Sequence, residues 1–129
     1  MPYTPHPHHR SAAFVHTKSQ WSVQVPEEIS CYQTSVSNNW ICSSNNYWGL
    51  LLHGNTPQNV GFSPLPESRP LFVAKFVGDQ QGNWHGYPVA TWLSPFDKPV
   101  IDILKKWQNL GYINGSQKAK LYRGKLCAL

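Results

Sequence analysis

The chain has 129 residues but only six carboxylates, two of them adjacent at Glu27 and Glu28. Paired-carboxylate catalysis and carboxylate-held metals therefore have little to draw on. Whatever chemistry the protein performs falls to histidine, cysteine, lysine and ring side chains. The stretch GDQQGNWHGYPVATW puts Trp84, His85 and Tyr87 among glycines, with Gly82 and Gly86 flanking the histidine. A loop histidine titrates near neutral pH, and glycine lets backbone approach a ligand closely. A metal-independent ribonuclease needs an acid and a base about the scissile phosphate and cations to hold it. His85, a second histidine such as His53, and C-terminal lysines could form that set. In the competing reading Trp84 and Tyr87 point inward, His85 bonds a backbone group, and the glycines only serve a turn.

Two other sets are weaker. His6, His8 and His9 could take a divalent ion, but metal sites need ligands held in fixed geometry, and Pro2, Pro5 and Pro7 around them predict a solvated arm. No metal site and no cofactor is expected. Cys31, Cys42 and Cys127 could be nucleophiles with His85 or His53 as base, yet none lies in a recognisable local setting, and buried inert thiols are expected. An odd number of cysteines is a poor disulfide framework. The Walker, Rossmann, nucleophile-elbow, H-E-x-x-H and C-x-x-C patterns are all missing from the sequence. Enzymatic activity stays open, with the balance against it.

Charge gives the more specific signal. From Lys98 onward there are seven Lys or Arg against one acid, Asp102, whereas residues 1–97 hold four basic and five acidic residues. Lys105, Lys106, Lys118, Lys120, Arg123 and Lys125 lie close to Tyr122, and cations interleaved with an exposed ring suit phosphates and unpaired bases. The expected function is binding of nucleic acid, RNA or single strands in particular, or of an acidic protein, through this C-terminal face. The alternatives are a ribonuclease or toxin-like enzyme using His85, and an interaction module presenting a tryptophan-rich surface. The run LKKWQNLGYINGSQKAKLYRGK resembles the end of a winged-helix domain, with a recognition helix followed by a basic hairpin. That resemblance covers about a fifth of the chain. The residues before it read as strands and not as the two helices such a fold needs.

The elements that must position these residues form one domain, by length. Residues 1–13 are expected as a flexible tail and 14–129 as a single α+β domain. Period-two alternation at Trp21, Val23 and Val25 predicts a strand ended by Pro26. CYQTSV and WICSS predict a hairpin turning at residues 37–39, YWGLLLH a buried strand, and LFVAKFV a central strand paired with YPVATWL. These add up to an antiparallel sheet of about five to six strands. One amphipathic C-terminal helix should pack on it, capped by Asp97, with Pro99 in its first turn, Val100, Ile103, Leu104 and Trp107 facing the sheet, and Gly111 ending it. Residues 114–126 read either as a basic hairpin turning at Asn114 and Gly115 or as a short helix capped by Ser116 and ended by Gly124. No stretch has the length of a membrane span or of a signal peptide's apolar region, so the chain is expected in the cytoplasm, away from membranes.

Overall fold

The computed structural model describes residues 2–129. In chain order its elements are β1 (Gln20–Trp21), α1 (Val25–Ser37), β2 (Tyr47–Gly49), β3 (Leu52–His53), β4 (Thr56–Pro57), β5 (Gly61–Phe62), β6 (Pro70–Leu71), β7 (Val73–Gly78), β8 (Trp84–Val89), α2 (Ile101–Asn109) and α3 (Gly115–Tyr122). The class is α+β as expected, but the strands form three small antiparallel sheets and not one sheet of five to six. Their orders are β1-β5-β6, β2-β7-β8 and β3-β4. The reason lies between Gly54 and Pro70, where four further prolines and short strands of two residues cannot sustain a ladder.

The sheet β2-β7-β8 divides the apolar residues into two clusters. Antiparallel pairing sets Val73 opposite Val89 and Gly78 opposite Trp84, and side chains then alternate between faces. Ala74, Phe76 and Trp84 pack with Trp21, Cys31 and Tyr32. Val73 and Val89 pack with Trp48, Ile103, Leu104, Trp107 and Leu121. The stripe of α2 therefore meets Val73, while Phe76 belongs to the other cluster. Val100 is the exception: it is the N-cap of α2 and is 40% exposed.

Three expectations about elements are corrected. CYQTSV is not a strand of a hairpin but the middle of α1. Pro26 sits in the first turn of that helix, and the Glu27 carboxylate accepts from the Gln24 backbone N–H at 3.2 Å. The buried face of α1 is Glu28, Cys31, Tyr32 and Ser35, a helical spacing with half its members polar. Asp97 does not cap α2; it lies in a 3-10 turn, Pro95–Asp97. Of the two readings of residues 114–126 the helix is the one formed, over Gly115–Tyr122, but its cap is Asn114 and not Ser116: the Asn114 side chain accepts from Gln117 N–H at 2.8 Å. There is accordingly no wing, and the likeness to a winged-helix domain ends with α2. Gly111, at φ +82°, does terminate α2 as expected.

The expected tail is packed. The Pro2 carbonyl accepts from Trp84 N–H at 2.9 Å and Thr4 N–H donates to the Trp84 carbonyl at 2.8 Å, so residues 2–4 run beside the free edge of β8. The prolines that seemed to forbid pairing alternate with the residues that pair, and one of them serves only as an acceptor. Tyr3 reaches the cluster around Phe76, donates to the buried carboxylate of Glu28, and is kept protonated chiefly by burial and then by that carboxylate.

Candidate functional site

The chain edge just described is what builds the site. After Thr4 the backbone enters a 3-10 turn, Pro7–Arg10, whose cap is the His6 side chain. Its Nδ1 accepts from His8 N–H at 3.2 Å. A backbone N–H only donates, so neutral His6 carries its proton on Nε2. The turn places the His6 ring 4.7 Å from His8, 5.6 Å from His9 and 5.3 Å from His85, centroid to centroid. Four histidines from two distant parts of the sequence thus meet.

His9 is held in the opposite sense. Its Nδ1 lies 2.8 Å from the Ser19 carbonyl, which only accepts, so the proton sits on Nδ1 and the lone pair on Nε2. Its ring stacks on Tyr87 at 4.9 Å with planes 14° apart. Ser19 is itself anchored, its hydroxyl donating to the Pro88 carbonyl at 2.6 Å. Burial pushes His9 down to about 4, and the positive charges of His6, Lys18 and His85 act in the same direction, against the Ser19 hydrogen bond. His6 is lowered too, first by burial, then by His8, His85 and Lys18.

These residues line a cleft of about 440 Å³, whose other walls include Lys18, Tyr87, Leu93 and Asp97. Asp97 is its only acid and is already engaged, accepting from the Tyr87 hydroxyl at 3.1 Å and lying 3.9 Å from Lys75 Nζ. Burial and then Asp97 keep Tyr87 protonated. The cleft therefore offers a lone pair on His9 Nε2, an N–H on His6 Nε2, the further imidazoles of His8 and His85, and one ammonium. That set suits an anion with a proton to lose and a leaving group to protonate. Among the described residues no three His, Cys, Asp or Glu are arranged to hold a metal ion.

His85 does open into a cleft, but the quoted stretch is no loop. Trp84, His85 and Tyr87 all lie on β8, and the connection is only residues 79–83. Alternation along β8 sends Trp84 inward against Tyr47 and Tyr32, and turns His85 and Tyr87 to the cleft. Gly86 serves packing and not ligand approach, since a Cβ there would sit 2.2 Å from the Phe76 ring. Gly82, at φ +84°, serves the turn.

Other expected residues lie elsewhere. His53 is exposed on β3 and Cys31, Cys42 and Cys127 are free thiols, none of them on the cleft; burial pushes Cys31 well above the ordinary thiol range. Lys105 and Lys106 are exposed on α2, Lys118 and Lys120 ride on α3, and Arg123 and Lys125 follow it, none lining the cleft. Tyr122 is exposed and lies under Lys98 Nζ, 5.5 Å from its ring centroid. Trp21, Trp40, Trp48 and Trp107 are buried in the two clusters, whereas Trp84 and Trp92 are half-buried.

Sequence reasoning grouped His6, His8 and His9 but did not join them to His85 and Lys18. Histidine density alone marked the segment, and nothing periodic links it to β8. No family model, no curated protein and no solved structure matches the chain.

Proposed function

We propose that this protein is a metal-independent ribonuclease whose acid and base are histidines of the β8 cleft. The observation that carries the reading is the pair of opposite tautomers at His6 and His9 beside His85 and Lys18. His9 Nε2 accepts the proton of a ribose 2′-hydroxyl as O2′ attacks phosphorus. The P–O5′ bond breaks, and protonated His85 delivers its proton to O5′, leaving a 2′,3′-cyclic phosphate and a 5′-hydroxyl. His6 Nε2–H and Lys18 hold the non-bridging oxygens as charge builds on them. Tyr87 is a positioning residue: it fixes the His9 ring by stacking and is itself fixed by Asp97.

RNA is favoured over DNA because the 2′-hydroxyl supplies the nucleophile that a metal would otherwise have to generate. Such a substrate is met in the cytoplasm, where the three free thiols would stay reduced. The test is cleavage of short single-stranded RNA in excess chelator, with cyclic-phosphate ends scored. His9→Ala and His85→Ala should each lower the rate by roughly 10²–10⁴. Cleavage that survives both changes, or that stops with chelator, would remove the proposal.

The basic C-terminal residues support a second contact with nucleic acid or with an acidic protein. Among the described residues only Arg10 and Lys75 enter ion pairs, so the cations of α2 and α3 are held in none.

A further inference from the structure

The histidine cleft does not end at its histidines. His6 and His85 also wall a second hollow of about 360 Å³, together with Asp79, Asn83 and Trp84. Leu93 also borders a third, of about 220 Å³, with Trp92, Lys98 and Arg123. The second and third hollows share no lining residue, so the histidine cleft lies between them. Its own volume is that of a small-ligand site; the three together are more than one nucleotide needs.

We infer that the three hollows form one groove for a single RNA strand, with Phe96, Lys98 and Arg123 gripping the strand beyond the scissile bond. The inference takes its substrate class from the ribonuclease reading, but the binding it describes does not require cleavage.

The gripping end has the features strand binding needs. Phe96, 78% exposed, stands between Pro95 on the third hollow and Asp97 on the histidine cleft without lining either, and Leu93, 63% exposed, borders both. The Phe96 backbone is held at both ends: Ser94 Oγ accepts from its N–H at 3.2 Å, and its carbonyl accepts from Lys75 Nζ at 2.7 Å. A ring held out on a fixed turn loses little freedom when a base stacks on it. Lys98 and Arg123 meet no carboxylate among the described residues, and the neighbouring Asp97 is already taken by Tyr87 and Lys75. Their charge matches phosphate.

The other end is different in kind. Asp79 accepts from Gln81 N–H at 2.8 Å and Asn83 N–H at 3.0 Å, bonds that hold its carboxyl below the usual range and ionised. A carboxylate there repels phosphate and, with Asn83, can accept from or pair with a base edge. The groove is therefore polar along its length, with phosphate favoured at the Arg123 end and bases at the Asp79 end.

The test uses 2′-O-methyl oligoribonucleotides, which lack the nucleophile and cannot be cut, so binding is read apart from chemistry. Anisotropy would compare a dinucleotide with a strand of about twelve nucleotides, within the roughly 4–16 that single-strand sites cover. The protein should bind the longer strand at least about tenfold more tightly, and Phe96→Ala should erase about that factor. Lys98→Ala and Arg123→Ala should each reduce the log–log salt slope by about 0.7. Equal affinity for both lengths, a length advantage that survives all three substitutions, or equal competition by a duplex would overturn the groove. A long strand bound in this way while unmodified RNA stays uncut would support the groove and remove the proposed chemistry alone.

Discussion

Arg10 holds the buried carboxylate of Glu28 from across the chain: Nε donates to Oε1 at 2.9 Å, and Nη1 donates to the Val23 carbonyl at 2.9 Å. Nη2 also lies 2.8 Å from Oε1 but is misaligned for a hydrogen bond, so that contact is Coulombic only. Glu28 is fully buried on α1, and Arg10 follows His9 directly. The pair thus ties the histidine turn to the helix behind the sheet.

Removing Arg10 leaves a buried carboxylate with Tyr3 as its remaining partner. Arg10→Ala should therefore cost about 3–5 kcal/mol in urea unfolding, the range for breaking a buried pair. A loss under about 1 kcal/mol would mean that the pair behaves like an exposed one.

Stability should fall with acid in a defined window. An unfolded histidine takes up its proton near about 6.5, whereas folded His9 does so at about 4. Between these values the unfolded chain binds more protons, so stability declines as pH drops through the window and is unaffected above it. His6 acts in the same direction. The full His9 shift corresponds to about 3 kcal/mol, which solvent in the cleft reduces to about 1–2 kcal/mol. Urea midpoints near neutral pH and at about pH 4.5 measure it, and His9→Gln should flatten the difference. Identical midpoints for the unsubstituted protein would contradict the buried, neutral His9.

Gly86→Ala should destabilise by about 1–3 kcal/mol, because the new methyl would press on Phe76, which is wholly buried. Leu104→Ala, in the other cluster, should cost about 2–5 kcal/mol. Thermal or urea unfolding checks both; a neutral Gly86→Ala would show that the Phe76 ring has room to move.

Charge reversal on the C-terminal helices separates them from the cleft. If Lys105, Lys106, Lys118, Lys120 and Lys125 contact phosphate, each reversal should weaken single-stranded RNA binding for all sequences alike and flatten the salt slope by about 0.7. Binding that ignores Lys120→Glu would restrict nucleic-acid contact to the groove.

What the sequence disclosed followed from whether burial was apolar. Ile103, Leu104 and Trp107 recur at helical spacing and are all buried, and Gly111 marks the end, so α2 was legible from its letters. The hairpin β7-β8 was legible for the same reason, though its second strand begins at Trp84, before the expected Tyr87. α1 was not, because Glu28 and Ser35 occupy half of its buried face and hide the stripe that periodicity detects. Pro26 then misled twice over, ending a supposed strand where it opens a helix.

The candidate site was half legible. His85 could be singled out from residue type, and its exposure to a cleft agrees with strand alternation once β8 is placed correctly. His6 and His9 could not be joined to it, since their positions come from backbone bonds to Trp84 and Ser19 that no side-chain pattern encodes.

The pairing of residues 2–4 with Trp84 also sets an order of events during synthesis. His6, His8 and His9 leave the ribosome ahead of β8 and must wait for a strand made some 80 residues later. Until β8 emerges His6 and His9 have neither His85 nor Tyr87 beside them, so a nascent chain, travelling along messenger RNA, carries no assembled cleft. The site comes into being only once β8 is made and can take residues 2–4 along its edge.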